Sequence, residues 1–305
     1  MSSRVIVRSS KDNHILFSVF KAYYPHVAPG LQNPQDHAHV DAEVAALVSG
    51  SGIYCCGGEE HPFSAGDVLF HRANAPHYMK YVDPGEAPSL IVVRFEPRLI
   101  WSPSSDWSSP ELMSLFSDSS SGSRHIPADS PLAGSIVKLL FEIFDECRRQ
   151  DHAYEIVVKS KIMTVLAYLV RSLYTELEIS DAPVISKRYL IQMEHSTNYI
   201  LSHLDSPLTL EALAKEACMS RSYYSTMFKA LNGISVWDYI TKQRIDLAQY
   251  QLEHSTFSIT QISENCGFNS ISNFNRAFRK LTGKTPREYR NSVNAGETDR
   301  RETEK

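Results

Sequence analysis

An internal repeat in the last hundred residues constrains the fold of this chain more than any other feature. Leu213 recurs as an apolar residue 49 positions later, and the aromatic residues Tyr224 and Phe228 recur 50 positions later. Each copy has a short helical pattern, a break, a second helical pattern that ends in Gly233 or Gly283, and an aromatic tail. This order of elements predicts two helix-turn-helix units.

The flanking residues define where the helices of the repeat begin and end. Ser220 and Asn269 stand at the expected N-caps of the two second helices, and a glycine follows each of these helices as a C-cap. The segment from Trp237 to His254 has an unbroken helical pattern. We therefore expect one long helix to hold the two units at a fixed separation.

The first third of the chain has the pattern of short β-strands. Between Ile15 and Phe95, apolar runs of strand length alternate with glycine-containing turn signals, as at Gly66–Asp67. This pattern predicts a small antiparallel barrel or sandwich. The Ser-rich stretch from Ser102 to Arg124 has no sustained periodicity and is expected to be a loop, with one short helix at most.

Two amphipathic helices are expected after this loop. Apolar residues recur at helical spacing from Ile136 to Cys147 and again from Ile162 to Leu173. The two helices would form an antiparallel hairpin. Its apolar stripes are explained either by packing against the barrel or by a subunit interface, and we predict a homodimer through this hairpin.

Composition excludes several classes of protein. The 305 residues are 42% hydrophobic and 22% charged, as in ordinary globular domains. No apolar run approaches the roughly 18 residues of a membrane span, and the N-terminus lacks the apolar core of a secretory signal, so we expect a cytoplasmic protein without membrane contact. Five cysteines, with no C-x-x-C spacing, argue against a disulfide framework and a thiolate metal site.

Charge is distributed unevenly along the chain. The formal charge is −7 for residues 1–186 and +4 for residues 187–290. The positively charged last third is therefore the part of the chain that is suited to face phosphate groups.

The second helix of each repeat unit divides into a buried face and an outward face. The residues predicted to be buried are Tyr224, Met227, Phe228 and Leu231 in the first unit, and Phe274, Ala277, Phe278 and Leu281 in the second. The polar residues between them are left on the outward faces.

At this point the sequence resembles a known family. The segment "ISENCGFNSISNFNRAFRKLTGKTPREYR" resembles the second helix-turn-helix signature of AraC/XylS-type transcription regulators, and "LTLEALAKEACMSRSYYSTMFKALNG" resembles the first. The strands upstream are similar to the cupin-type sensor domain that many members carry. The resemblance implies an α+β multidomain protein: an N-terminal antiparallel β-barrel (cupin-like) in residues 1–130, a helical dimerisation hairpin in 131–186, an all-α DNA-binding domain with two helix-turn-helix units in 187–290, and a disordered tail in 291–305.

The family's positions imply which outward residues contact DNA. The candidates for base-edge contacts are Ser222, Ser225, Thr226, Ile271, Ser272, Asn275 and Arg276. The candidates for phosphate contacts are Lys229, Arg279, Lys280, Lys284 and Arg287. An arginine can contact guanine with two hydrogen bonds and an asparagine can do so with adenine, whereas serine and threonine hydroxyls discriminate poorly between bases. Sequence specificity is therefore expected to depend mainly on the second unit.

A histidine motif in the predicted barrel is the candidate effector site. His37, His39 and Glu43 fall on one face of a strand, and together with His77 they match the cupin metal pattern. Such a set suits a divalent metal (Zn, Fe, Mn or Ni), but family members often use histidines here to line a pocket without metal. Purely structural histidines are the third alternative. We favour a metal-free pocket, and its expected ligand-binding residues are His37, His39, Glu43, Tyr54, His77 and Arg94.

Two functions from different classes follow. The first is a regulator that binds double-stranded DNA and responds to a small-molecule effector, a sugar or a small acid. The alternative is a metal-dependent cupin enzyme with an accessory DNA-binding domain. We favour the regulator, which is not an enzyme, because the barrel has no other clear acid/base constellation. Whether it activates or represses is left open; an activator would also contact RNA polymerase.

Overall fold

The computed structural model describes residues 5–8, 15–23, 40–56, 59–82, 88–101, 115, 123–174 and 187–292. Contacts between Cα atoms divide the chain into two compact units. Unit 1 comprises Met1–Arg8, Ile15–Ile191 and Thr226–Ile234, and unit 2 comprises the remaining residues. No helix within the described ranges is long and apolar enough to cross a membrane.

Unit 1 is built on two antiparallel sheets. Its strands are β1 (Val5–Arg8), β2 (Ile15–Tyr23), β3 (Ala42–Ser49), β4 (Gly52–Cys56), β5 (Glu59–Phe63), β6 (Val68–His71), β7 (His77–Val82), β8 (Ser89–Phe95) and β9 (Ser123–Ile126). The larger sheet has the order β1-β2-β8-β3-β6-β9, and the smaller sheet has the order β5-β4-β7. The described strands thus confirm an antiparallel, strand-rich N-terminal region. Within the described residues no strand ladder joins the two sheets, and side chains connect them instead.

Alternation along the strands gives the larger sheet two apolar faces. On β3, Val44 and Ala46 belong to a core shared with helices, whereas Ala45 and Leu47 belong to a core shared with the smaller sheet. Since successive side chains point to opposite faces, one strand can contribute to both cores. The face toward the smaller sheet is the one that matters for the candidate site.

The predicted helical hairpin is confirmed and covers the other face. After α1 (Arg98–Trp101), α2 (Ala133–Arg149) and α3 (Tyr154–Tyr174) pack on each other and on the larger sheet. Ile136, Leu140 and Ile162 are at most 2% exposed in this layer. Core packing therefore accounts for the inner apolar stripes of both helices. The stretch predicted as a loop, Ser102–Arg124, lies mostly outside the described residues, but its last two residues begin β9.

The helical C-terminal part follows the predicted repeat. Its helices are α4 (Lys187–Ser202), α5 (Leu210–Glu216), α6 (Arg221–Asn232), α7 (Val236–His254), α8 (Ile259–Asn265) and α9 (Ile271–Thr282). The first helix-turn-helix unit is formed by α5 and α6, and the second by α8 and α9. The long helix expected from Trp237 to His254 is α7.

Most of the predicted helix ends are confirmed. The amide of Tyr223 donates to the Ser220 hydroxyl, and Gly283 has the left-handed conformation expected of a C-cap. The prediction for Asn269 was wrong by one residue: the hydroxyl of Ser270 caps α9 by accepting from the amide of Asn273. Serine and asparagine are about equally good N-caps, so two adjacent candidates cannot be separated by residue type alone.

A glycine determines the conformation of the turn in the second helix-turn-helix unit. Gly267 has a φ of +75°, and a Cβ atom there would lie 2.1 Å from the carbonyl oxygen of Leu204. That carbonyl also accepts a hydrogen bond of 2.9 Å from Nε of Arg244, which reaches Ser206 O through Nη2. The turn therefore lies against a hydrogen-bonded junction that leaves no space for a side chain.

A candidate ligand site and a candidate DNA interface

Strand register brings three polar residues into one row on the larger sheet. Glu43 on β3 is paired with His71 on β6 on one side and with Arg94 on β8 on the other. Directly opposed residues of antiparallel strands have their side chains on the same face. This face also carries Leu69 and Val92, which pack toward the smaller sheet.

Side chains of this row lie against two side chains of the smaller sheet, Tyr54 and His77. Arg94 Nε donates to Glu43 Oε2 at 2.6 Å, and the guanidinium group lies 5.0 Å from the ring centroid of Phe20. The Tyr54 hydroxyl is hydrogen-bonded to the imidazole of His71. The rings of His71 and His77 are stacked, with centroids 4.0 Å apart. We call these five residues the inter-sheet cluster: Glu43, Tyr54, His71, His77 and Arg94.

The tautomer of His77 follows from its partner. Its Nδ1 lies 2.8 Å from the carbonyl oxygen of Ala75, which can only accept a hydrogen bond, so Nδ1 carries the proton. Nε2 then faces Glu43 Oε1 at 3.8 Å, which is longer than a direct hydrogen bond. Glu43 and His77 are 5% and 3% exposed, so these polar atoms meet in a largely dry environment.

The cluster does not fit a metal held by both histidines. Ligand atoms of Glu43, His71 and His77 lie within 4.8 Å of one another, and the donor types suit a divalent ion. A metal lies close to the plane of each imidazole that binds it, but the two ring planes here are only 5° from parallel and stacked. Two such planes share no point where an ion could sit, and Arg94 already holds one oxygen of Glu43.

The predicted ligand residues are partly brought together. Glu43, Tyr54, His77 and Arg94 lie in the inter-sheet cluster, whereas His37 and His39 lie outside the described residues. The sequence interpretation missed His71, which is 1% exposed. Its alternation with Leu69 indicated the face, but the pairing of β6 with β3 that sets it beside Glu43 is a long-range feature.

The second helix of each repeat unit has the predicted outward face. In α6, Ser222, Thr226 and Lys229 are exposed, while Ser225 is half-buried. In and after α9, all of the predicted DNA contacts are exposed: Ile271, Ser272, Asn275, Arg276, Arg279, Lys280, Lys284 and Arg287. Tyr224, Phe228, Phe274 and Phe278 are buried as expected.

Some details of these faces differ from the expectation: Met227 and Ala277 were predicted to be buried but are half-buried. Leu281 was predicted to be buried but is 36% exposed, because it lies in the last turn of α9, where the chain ends the helix at Gly283. Arg276 Nη2 donates to Asn273 Oδ1 at 2.9 Å, three residues earlier on the same exposed surface. Asn273, which the sequence interpretation did not single out, therefore contributes to the orientation of this guanidinium group.

Comparisons with known proteins agree with both parts of this description. Residues 213–292 match the family model "Helix-turn-helix domain", and residues 24–93 match the model "Cupin domain". The chain is 27% identical over 140 residues to the probable transcriptional regulator LumQ of Photobacterium leiognathi, covering 46% of this chain and 54% of LumQ. The chain thus spans about half the length of that relative.

Two further matches extend over most of the chain. The arabinose operon regulatory protein of Salmonella typhimurium is 26% identical over 245 residues, which is 80% of this chain and 81% of that protein. The crystal structure of ToxT from Vibrio cholerae strain SCE256, bound to an unsaturated fatty acid, has a TM-score of 0.54 at 14% identity and covers 95% of this chain and 94% of ToxT. The second match concerns the fold alone.

Proposed function

We propose that this chain is a transcription regulator of the AraC/XylS type with an N-terminal cupin domain, and that it binds double-stranded DNA and responds to a small molecule at the inter-sheet cluster. The observation that carries the proposal is the outward face of α9. Its exposed side chains include Asn275, Arg276 and Arg279, over a buried face of Phe274 and Phe278. A rigid helix with this division is suited to the major groove.

The DNA contacts have different roles in this proposal. Arg276 and Asn275 read base edges, while Lys284, Arg287 and the other exposed cations of the second unit bind phosphate. The hydroxyls of α6 add positioning contacts with less discrimination between bases. The proposed division of the chain is the one given by the sequence: sensing in residues 1–130, dimerisation in 131–186 and DNA binding in 187–290.

Selection of preferred sites from random DNA tests the DNA-binding function. The full-length chain is expected to recover a defined motif, and Arg276→Ala is expected to relax one or two base pairs of it, since each bidentate contact contributes about 1–3 kcal/mol of discrimination. Lys138→Ala is the matched control, because Lys138 is a cation on α2 whose side chain is 78% exposed. Recovery of random sequence by the folded wild-type chain would contradict the proposal.

The charge of the inter-sheet cluster favours a neutral effector. The two alternatives are a sugar and a small acid. Arg94 is already paired with Glu43 at 2.6 Å, so an acid would have to compete with a buried carboxylate for the guanidinium group. A sugar hydroxyl can donate to Glu43 and accept from Arg94 at the same time. We therefore assign a polyhydroxylated neutral molecule to this site, with no resident metal.

Thermal unfolding with paired ligands tests this assignment. Each neutral sugar is compared with the acid derived from it by oxidation. Sugars that bind are expected to raise the unfolding temperature of the wild-type chain, but not that of Glu43→Gln. Glu59→Gln serves as the control, since the Glu59 side chain is 76% exposed on β5. Stabilisation by the acids alone, or by divalent metal ions alone, would contradict the assignment.

The remaining partners follow from the proposed role. A transcription regulator acts in the compartment that holds its target DNA, so we assign the chain to the cytoplasm. If the chain is an activator, it would also contact RNA polymerase. A homodimer through α3 would place two pairs of helix-turn-helix units on one DNA target.

A further inference from the structure

One buried hydrogen bond of unit 1 holds the end of the first recognition helix, α6. Trp101, the last residue of α1, donates through Nε1 to Oδ1 of Asn232 at 3.2 Å. The side-chain Nδ2 of Asn232 in turn donates to the carbonyl oxygen of Phe228 at 3.0 Å. Trp101 and Asn232 are both 1% exposed. Both the acceptor and the donor of the amide are engaged, so the end of α6 is held in one orientation.

A second close approach lies one residue further along. Gly233 follows α6 with a φ of +70°, and a Cβ atom at this position would lie 3.1 Å from the Cβ atom of Ala73. Ala73 belongs to the turn between β6 and β7 and is 7% exposed. Residues 226–234, which include Asn232 and Gly233, are grouped with unit 1.

Both contact points are connected by a few residues to the inter-sheet cluster. Trp101 follows β8, which carries Arg94, and Ala73 lies two residues after His71 on β6. Glu43 lies between these two strands and pairs with residues of both. A ligand that changes the Glu43–Arg94 pair would therefore act on the same two segments that hold α6.

We propose that Trp101 is a positioning residue, which acts through Asn232 and couples the inter-sheet cluster to the first recognition helix. The inference depends on the proposed function for its biological meaning, since α6 is taken to contact DNA. Ala73, packed against Gly233, supplies the second point of attachment. Energetic couplings between sites of this kind typically change affinity by about 5- to 150-fold.

A double-mutant cycle on the full-length chain tests the coupling. The dissociation constant for DNA is measured by fluorescence anisotropy, with the site that the wild-type chain selects from random DNA as the probe. Glu43→Gln is expected to change the dissociation constant at least about fivefold in the chain with Trp101 and less than twofold in Trp101→Phe, which keeps an aromatic ring but lacks the indole N–H. Equal changes in the two backgrounds, or no change in either, would overturn the proposal.

A replacement variant and a control variant complete the double-mutant cycle. Where Glu43→Gln lowers the thermal stability, Tyr54→Phe replaces it, because this change removes only the hydroxyl that contacts His71. Trp237→Phe is the matched control: its side chain is 47% exposed on α7, and the effect of Glu43→Gln should persist in this background.

Hydrogen exchange separates a failure of the coupling from a failure of the proposed function. Exchange at the backbone amides of residues 229–232 needs no DNA. We expect Glu43→Gln to change their protection in the wild-type background but not in Trp101→Phe. If this pattern is seen but no DNA motif is recovered, the coupling stands and the DNA-binding function fails; if protection changes equally in both backgrounds, the coupling is wrong.

Discussion

At the scale of single residues, the two helix-turn-helix units have different residues at the same position of the turn. Gly267 occupies the turn of the second unit, and Cys218 occupies the equivalent position of the first, with a φ of +51°. Gly267→Ala is expected to lower the free energy of unfolding by about 3 kcal/mol, because it adds both left-handed strain and contact with Leu204 O. Cys218→Gly is expected to be within about 1 kcal/mol of neutral, since the relief of strain is offset by entropy of the unfolded chain.

Denaturant unfolding measures both changes. Gly134→Ala is the control, because Gly134 lies in α2 with no atom within 4 Å of an added Cβ. This control should be neutral or slightly stabilising, as alanine is the better helix former. Equal destabilisation by all three substitutions would contradict the steric explanation for Gly267.

Thiol reactivity is a second prediction at this scale. Burial raises the pKa of Cys147 and of Cys266 to about 12 in each case, so at pH 8 only about one in 10,000 of these thiols is ionised. Cys55 and Cys56 are also buried, whereas Cys218 is exposed. A thiol reagent at pH 8 should therefore modify Cys218 rapidly and the other four only after unfolding. Mass spectrometry of the labelled peptides decides this, and Cys218→Ser should abolish the rapid phase.

At the scale of secondary-structure elements, the helices were easier to predict than the candidate site. The repeat is a local pattern: Phe274 and Phe278 lie four residues apart on one helix and are buried as their spacing predicts. The inter-sheet cluster depends on pairing between β3, β6 and β8, and no local pattern gives the register of distant strands. This is why Glu43 was recognised from its motif, while His71, its direct neighbour across the strands, was not.

We expect substitutions on the two recognition helices to have different effects on DNA selection. Ser225 on α6 is half-buried and has a short side chain, whereas Arg276 on α9 is exposed and oriented by Asn273. We expect Arg276→Ala to change the recovered motif and Ser225→Ala to leave it nearly unchanged. Asn273→Ala should partly reproduce the Arg276→Ala result, because the guanidinium group loses its orienting contact.

Salt dependence separates base reading from phosphate binding on the same element. Lys284→Ala should weaken binding to all sequences alike and reduce the slope of affinity against salt by about one unit, since one phosphate contact is lost. If only Ser225→Ala alters the motif, the base-reading helix is α6 rather than α9, and α9 binds mainly phosphate.

At the scale of the whole molecule, exposed apolar residues on α3 are the basis for the expected homodimer. Ile156 and Val157 are 71% and 38% exposed, and Ala167 is exposed three turns further along the same face as Ile156, whereas Met163 between them is half-buried and packs against the core. Exposed apolar side chains of this size at the start of a helix favour contact with another apolar surface. Core packing explains the inner stripe of α3 but not these exposed residues, so we assign them to the dimer proposed for this chain.

Ile156→Glu tests this assignment without disturbing the core. Sedimentation velocity at micromolar concentration should give the wild-type chain about twice the monomer mass of 34.4 kDa, and Ile156→Glu close to one monomer mass, because a charge would be buried in the interface. Ile191→Glu is the matched control: Ile191 on α4 is 41% exposed, and its replacement should leave the mass unchanged. Far-ultraviolet circular dichroism should show that both variants are folded, since both side chains are exposed in one chain. A wild-type monomer in the presence of DNA, or a dimer that survives Ile156→Glu but not Ile191→Glu, would place the interface elsewhere or remove it.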